Sequence, residues 1–284
     1  MSTASVRYAV AAVSDLGSRR ASNEDACGYS VECGVYVVCD GMGGAAAGEI
    51  ASSVAIDEIL RQLCNRAEGG PLEEIIQQAI RAANQAIYSR AQNDPQLSGM
   101  GTTLVGLVTE GSRVLVFNVG DSRCYRLRVP GPRQGISALA PPDLTAPDPS
   151  SPDQAPAEQI RPQARPEQAI LEQITLDHSL VEEQVRLGNM TPAEALRSPL
   201  RNVITRALGT QAEVPPDLFE LEAEPGDLFL LCSDGLTREL ADPVLESMLA
   251  ADLTLEEHCA RLVQAANLAG GHDNITCLLV RAEA

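Results

Sequence analysis

Val35-Tyr36-Val37-Val38-Cys39 is an unbroken apolar run that stops on a carboxylate, Asp40. The chain then reads Gly41-Met42-Gly43-Gly44, followed by a helix start at Ala45-Ala46-Ala47-Gly48-Glu49-Ile50. The run reads as a buried strand. A strand end is a rigid place from which to project a charge, and glycine lets backbone carbonyls approach whatever that charge holds. An acceptor-only carboxylate so placed suits a hard cation. Asp-Gly is also a common turn signal, so a plain strand-to-helix turn accounts for this stretch equally well.

The pattern recurs. Val114 to Val119 leads to Gly120-Asp121, and Asp227 to Cys232 runs into Ser233-Asp234-Gly235. Gly270-Gly271-His272-Asp273-Asn274 precedes the apolar stretch Ile275 to Val280. Asp40, Asp121 and Asp234 thus each terminate a predicted strand beside glycine, and Asp273 precedes one. Carboxylates at strand ends, drawn from regions far apart in sequence, are what a site assembled by packed sheets requires. Oxygen donors without histidine or thiolate suit Mg²⁺ or Mn²⁺. Clustered carboxylates repel one another unless cations sit between them, so more than one ion is expected. Two ions ~3.5–4 Å apart lower the pKa of a bridging water and clamp a phosphoryl group. Arg20, close before Glu24-Asp25, adds a planar fork that matches phosphate oxygens. Together these residues point to hydrolysis of a phosphate ester.

Composition narrows the setting. A formal net charge of −18 disfavours nucleic acid and anionic membranes as partners. Hydrophobic residues make up 44% of the 284 residues and aromatics only 3%, so the core is expected to be large and aliphatic. Eight cysteines show no Cys-x-x-Cys spacing, and three histidines give no zinc pattern, so free, buried thiols in a reducing compartment are expected. No apolar run approaches a membrane span, and Met1 to Val10 lacks a signal-peptide pattern. A soluble, cytoplasmic protein is the expectation.

Tyr8 to Val13, Cys27 to Val31, Gly101 to Val108, Cys124 to Leu127 and Ile170 to Leu176 read as further strands. Ile50, Val54, Ile59 and Leu63 recur at helical spacing, as do Leu72, Ile75, Ile76, Ala79, Ile80, Ala83 and Ile87; each helix should pack one face on a sheet. Ser179 to Leu187 and Thr191 to Leu196 read as short helices, the second with a threonine cap and proline in its first turn. Asp242-Pro243 starts another, and Thr254-Leu255-Glu256-Glu257 is a capping box for the last. Between Pro130 and Pro166 fall ten of the chain's 18 prolines and no aromatic residue. Residues 130–168 are therefore expected to form a mobile insertion in a hairpin.

The motifs, in order, resemble those of the metal-dependent serine/threonine protein phosphatases of type 2C, in their compact bacterial form. The matching stretches are Ser14-Asp15-Leu16-Gly17 with Arg20 to Ala26, Asp40 to Gly44 with Gly48-Glu49, Gly101-Thr102-Thr103, Asn118 to Arg123, Asp177-His178-Ser179, Cys232 to Leu236, and Gly271 to Thr276. They span nearly the whole chain outside the insertion. The resemblance implies an α+β fold, a four-layer α-β-β-α sandwich of two antiparallel sheets flanked by helices. It implies one catalytic domain over 1–284 with a mobile flap at 177–210. It further implies that Asp40 bridges two core metals, that the Gly41 carbonyl binds one, and that Asp234 and Asp273 bind the other. Glu24 and Asp25 act through metal-bound waters, Arg20 grips the substrate phosphate, and Asp121 with Asp234 matches a third, weaker metal position of bacterial relatives. Catalysis then rests on Arg20, Asp40, Asp234 and Asp273, with a hydroxide bridging Mn²⁺ or Mg²⁺ attacking phosphoserine or phosphothreonine in line. Substrates would be phosphoproteins, a Ser/Thr kinase among them, and the enzyme a monomer.

One departure concerns the leaving alcohol. Many eukaryotic relatives carry histidine after the Asp-Gly pair, whereas Met42 stands here. A metal-bound water is the first choice of general acid, with His178 and His272 as further candidates. Arg123 is expected to pair with an acid, and Thr102 and Thr103 either hold the metal-site backbone or simply suit a strand. Ser233 lacks a nucleophile elbow, and Gly41 to Gly48 lacks the Gly-Lys-Ser/Thr ending of a nucleotide loop. Two other classes stay open: an inactive relative serving as a binding module, and a di-metal hydrolase of small phosphorylated metabolites.

Overall fold

A computed structural model describes residues 6–43, 47–66, 70–129 and 169–284. The proline-rich insertion and the first two residues of the predicted helix start at Ala45 lie outside the described residues.

β1 (Arg7–Asp15), β2 (Asp25–Ser30) and β3 (Val35–Met42) lead into α1 (Ala47–Cys64) and α2 (Leu72–Asn93). β4 (Gly101–Thr102), β5 (Leu104–Glu110), β6 (Arg113–Val119), β7 (Arg123–Arg128) and β8 (Ile170–Gln173) follow. Then come α3 (Leu180–Arg186), α4 (Pro192–Ala195), β9 (Asp217–Glu222), β10 (Leu228–Cys232), α5 (Asp234–Thr237), α6 (Asp242–Leu249), α7 (Leu255–Ala269) and β11 (Ile275–Glu283). One sheet has the order β1-β11-β10-β7-β8; the other runs β2-β3-β5-β6-β9, with β4 against β3. Every pairing is antiparallel.

The unbroken apolar runs of β3, β10 and β11 have a simple cause: both faces of each strand are covered. In β3, Val35, Val37 and Cys39 pack with α1 and α2, while Tyr36 and Val38 face the second sheet. In β10, Leu228, Leu230 and Cys232 pack with α6 and α7, while Phe229 and Leu231 enter the space between the sheets. Alternation of period two thus sorts one strand's residues into two cores. The expected four-layer α-β-β-α sandwich is the fold observed. All eight cysteines are free, five of them buried. Among the described residues no helix is long and apolar enough to cross a membrane.

Several elements differ from the sequence-based expectation. β3 does not stop at Asp40; Gly41 and Met42 extend it by pairing with Thr102 and Gly101. The stretch expected as one strand from Gly101 breaks at Thr103, whose N–H and hydroxyl are committed to the Asp40 backbone. β9 carries no run of apolar residues, because it is an edge strand whose residues are half-buried or exposed. In α1 the buried face is Ala51, Ala55, Ile59 and Leu63, with Ile50 and Val54 only half-buried; its small residues let it lie close on β2 and β3. α2 follows the expected apolar stripe. The predicted caps of α4 and α7 are both capping boxes, Thr191 with Glu194 and Thr254 with Glu257. β7 and β8, which flank the insertion, pair as the predicted hairpin.

Candidate metal centre

The ends of both sheets converge on one cleft of about 500 Å³, lined by Arg20, Glu24, Asp40, Gly41, Met42, Asp121, Asp234, Arg238 and Asp273. Topology brings them there. Asp25 opens β2 and is the register partner of Asp40 near the close of β3. Asp121 follows β6, Asp234 follows β10, and Asp273 precedes β11. In antiparallel neighbours, one strand's end lies beside the next strand's start, so all of these carboxylates share an edge of the sandwich.

Several of the groups around the cleft are held by backbone bonds or a neighbouring hydroxyl. The Asp40 N–H donates to Thr103 Oγ1 at 2.9 Å, and its carbonyl accepts from the Thr103 N–H and from Thr102 Oγ1, both at 2.9 Å. Ser233 Oγ donates to Asp25 Oδ2 at 2.7 Å. The Asn274 side chain donates to the Leu16 and Ser22 carbonyls and accepts from the Glu24 N–H, tying the loop that carries Arg20 to the start of β11. Arg20 Nη2 donates to Asp273 Oδ2 at 2.7 Å. The Gly41 N–H donates to the Glu24 carbonyl. A Cβ on Gly41 would sit 2.1 Å from the Gly48 carbonyl oxygen, so glycine alone permits α1 to start this close to β3.

The electrostatics have one direction. Burial, then Asp25, Asp234, Asp121 and Asp273, pushes the Asp40 carboxyl well above the usual range. Burial and Asp121 raise Asp234 likewise, against the pull of Arg238. Burial raises Asp25 to about 6, opposed by its bond from Ser233. Asp121 is also raised by burial, with Arg238 opposing. A cluster that resists its own ionisation is one that added positive charge stabilises.

Two buried oxygens, Asp25 Oδ1 and Asp234 Oδ1, have no hydrogen-bond partner. Orphaned carboxylate oxygens in an all-oxygen donor set fit hard divalent cations. As they stand, no three His, Cys, Asp or Glu side chains among the described residues close on a metal ion. The guanidinium of Arg238 lies among the carboxylates instead, paired with Asp234 and 3.6 Å from Asp121 Oδ2 and from Asp273 Oδ2.

The remaining candidates fall elsewhere. His178 is buried; its Nδ1 accepts from the Gly120 N–H at 3.1 Å and its Nε2 faces Asp217 at 3.1 Å. His272 pairs with Glu239 at 2.7 Å on the wall of a neighbouring cavity. Neither lines the cleft. Arg123 is engaged bidentately by Asp177, as expected of a paired arginine. Sequence reasoning missed Arg238, although its place four residues after Asp234 in a helical turn is the spacing of an acid–base pair. It also left Asn274 without a role and did not bring Asn202 and Ile204 to the cleft wall.

A family model described as protein phosphatase 2C matches residues 17–137. Over 272 residues the chain is 32% identical to the serine/threonine phosphatase stp of Listeria innocua, covering 94% of this chain and 92% of that one. The chain belongs to the protein phosphatase 2C family. Its fold matches the crystal structure of the Mycobacterium tuberculosis serine/threonine phosphatase PstP/Ppp with a TM-score of 0.78 and 35% identity, over 98% of this chain and 99% of that one. A structure of the PstP catalytic domain in complex with two manganese ions matches at a TM-score of 0.77 and 33% identity, over 98% of this chain and all of that one. In this phosphatase Arg20, Asp40 and Asp121 lie within the family-model match, whereas Asp234 and Asp273 come from the C-terminal half; the sheets are what unite them.

Proposed function

We propose that this chain is a metal-dependent protein phosphatase that hydrolyses phosphoserine and phosphothreonine in proteins, with two Mn²⁺ or Mg²⁺ ions held by the carboxylate cluster. The observation that carries this reading is the convergence of Asp25, Asp40, Asp121, Asp234 and Asp273 beside Arg20, two of their buried oxygens lacking any partner. In this reading Asp40, the Gly41 carbonyl, Asp234 and Asp273 would hold the two ions. Glu24 and Asp25 act through water, and Asp121 stands next to Asp234. When bound, the ions activate water as Lewis acids and neutralise charge that develops on the phosphoryl oxygens.

The side chains do the rest. Thr102 and Thr103 fix the Asp40 backbone, so its carboxylate projects in one direction. Arg20 is half exposed at the rim, and its planar fork can turn from Asp273 to two oxygens of a phosphate. Met42 has no proton to give. His178 accepts a hydrogen bond at Nδ1 and is 2% exposed, so it cannot serve as the acid considered from the sequence. The leaving alkoxide is left to take its proton from water in the cleft.

We assign 1–284 to one catalytic unit, with 177–210 as a flap at the cleft rim and 130–168 as an insertion between β7 and β8. The bond from the His178 N–H to the Gly120 carbonyl and the pairing of Thr102 with Leu208 anchor the flap's two ends, while Asn202 and Ile204 reach the cleft. Phosphoproteins made by a Ser/Thr kinase are the substrates, and the enzyme works as a cytoplasmic monomer.

The test is release of phosphate from a phosphothreonine peptide, nucleotides and sugar phosphates, each with Mn²⁺ and with chelator. Chelator-sensitive turnover of the peptide in preference to the metabolites supports the reading. Preference for a metabolite, or turnover indifferent to chelator, overturns it.

A further inference from the structure

Cys33 and Cys64 are far apart in sequence and adjacent in space. Cys33 sits in the turn between β2 and β3, and Cys64 is the last residue of α1. Both side chains are half-buried and pack against the core under α1 and α2. Arg66 ties the two places together. Its Nη1 donates to the Cys33 carbonyl at 3.1 Å and to the Leu63 carbonyl at 2.8 Å, so a single nitrogen spans both backbones. The Cys33 N–H donates to Ser30 Oγ at 3.3 Å and closes the turn. The two thiols are in hydrogen-bonding contact: burial, then that contact, raises the Cys64 thiol, while Ser30 and Arg66 pull the other way. The other cysteines differ in exposure. Cys39, Cys124, Cys232, Cys259 and Cys277 are fully buried, and half-buried Cys27 packs between the sheets.

We infer that Cys33 and Cys64 are a modification site, which a small disulfide such as oxidised glutathione converts to a reversible disulfide stapling the end of α1 to the β2–β3 turn. One protein thiolate attacks a sulfur of the small disulfide, whose S–S bond breaks and releases one small thiolate. The second protein thiolate attacks the protein sulfur of that mixed disulfide and releases the other. The two protein thiols give up two electrons and two protons, and the small disulfide takes both to become two thiols. Contact between Cys33 and Cys64 makes the second step intramolecular, so the mixed disulfide is short-lived. Burial keeps the five core thiols out of the oxidant's reach. The closed loop takes in all of β3 and α1, so the link removes conformational freedom from the unfolded chain. Neither thiol lines the carboxylate cleft, and the staple stands apart from the metal centre.

The test is treatment of the reduced full chain with excess oxidised glutathione, followed by mass spectrometry of the intact protein and of its alkylated peptides. Expected is a wild-type chain lighter by two hydrogen atoms, with the Cys33 and Cys64 peptides joined and separated again by dithiothreitol. Its thermal midpoint should stand about 5 °C or more above that of the reduced chain. Cys33→Ser and Cys64→Ser, each checked for folding by circular dichroism, should form no internal link and show no rise in midpoint. Any one of four results on the wild type overturns the inference: no link, glutathione retained on either thiol, a link through another cysteine, or a linked chain no harder to unfold than the reduced one.

Discussion

Asp25 and Asp40 are register partners across β2 and β3, a buried carboxyl opposite a half-buried one on adjacent antiparallel strands. Nothing in a sheet favours that pairing; like charges directly opposite destabilise it. The arrangement persists because Ser233 bonds one partner and Thr102 and Thr103 fix the backbone of the other. Function, not folding, selects it. Asp40→Asn therefore should cost at least ~10³-fold in kcat on a phosphothreonine peptide at saturating Mn²⁺, the equivalent of several kcal/mol of lost charge stabilisation. The thermal midpoint of the metal-free protein should stay level or rise, since one of the mutually repelling carboxylates is gone. A folded variant with near-normal turnover would contradict the role given to Asp40.

The same cluster ties metal to pH. Burial raises Asp25 to about 6 and moves Asp40 and Asp234 in the same direction. Between the ordinary carboxylate range and about 6, the folded metal-free chain holds more protons than the unfolded one. Its contribution to stability from these groups is present at low pH and is lost as pH rises through that window. Bound cations favour the ionised carboxylates and reverse the trend. The gap in thermal midpoint between Mn²⁺-loaded and chelated protein should widen from about pH 5 to about pH 7. Differential scanning fluorimetry at both ends, with and without chelator, reads this directly. A gap independent of pH would mean that the carboxylates are ionised without metal.

Much of this centre is legible in the sequence, because strand ends followed by Asp and Gly leave a side-chain signature. Asp40, Asp121, Asp234 and Asp273 are placed by apolar runs, Arg20 by its position just before Glu24-Asp25, and the family resemblance adds the Gly41 carbonyl. What escapes is carried by backbone. The extension of β3 through Gly41-Met42 is a pairing with Thr102 and Gly101 of β4, a stretch with no run of apolar side chains to reveal it. The break at Thr103 follows from bonds to Asp40 that no periodicity records. β9 is an edge strand in which Glu220 and Glu222 alternate with half-buried neighbours, so its apolar signal is weak. Arg238 caps a helix of only four residues, which carries no apolar periodicity, so its spacing of four from Asp234 is the one trace it leaves in the sequence.

His178 illustrates how a motif histidine can be structural. It accepts from the Gly120 N–H, faces Asp217 through Nε2, and its own N–H and carbonyl bridge Gly120 and Thr205. Burial lowers its pKa, which keeps the ring neutral and its Nδ1 free to accept. His178→Ala strands the buried Gly120 N–H and should cost about 1–3 kcal/mol of stability. In the folded protein, kcat at saturating Mn²⁺ should change only a few-fold, and the pH–rate profile should keep its shape. Loss of a limb from that profile would restore His178 as a proton donor.

Gly41 supplies the sharpest separation of packing from chemistry. Its carbonyl is the proposed metal ligand, yet the position is glycine for a steric reason: a Cβ would meet the Gly48 carbonyl oxygen at 2.1 Å and the Glu24 carbonyl oxygen at 2.5 Å. Both obstacles are backbone, so neither can rotate aside. Gly41→Ala must push the first turn of α1 from β3 or bend β3 away from β2, and overpacking of this kind costs about 1–3 kcal/mol. Gly99→Ala is the control, since that residue has φ of +79° but nothing within 4 Å of the added Cβ; its penalty is the left-handed backbone alone, about 1 kcal/mol. Urea midpoints should therefore fall further for Gly41→Ala than for Gly99→Ala. Mn²⁺ affinity should drop only in Gly41→Ala, because displacement there moves the backbone between Asp40 and α1. Equal losses of stability with unchanged Mn²⁺ affinity would show that β3 and α1 have more room between them than these contacts allow.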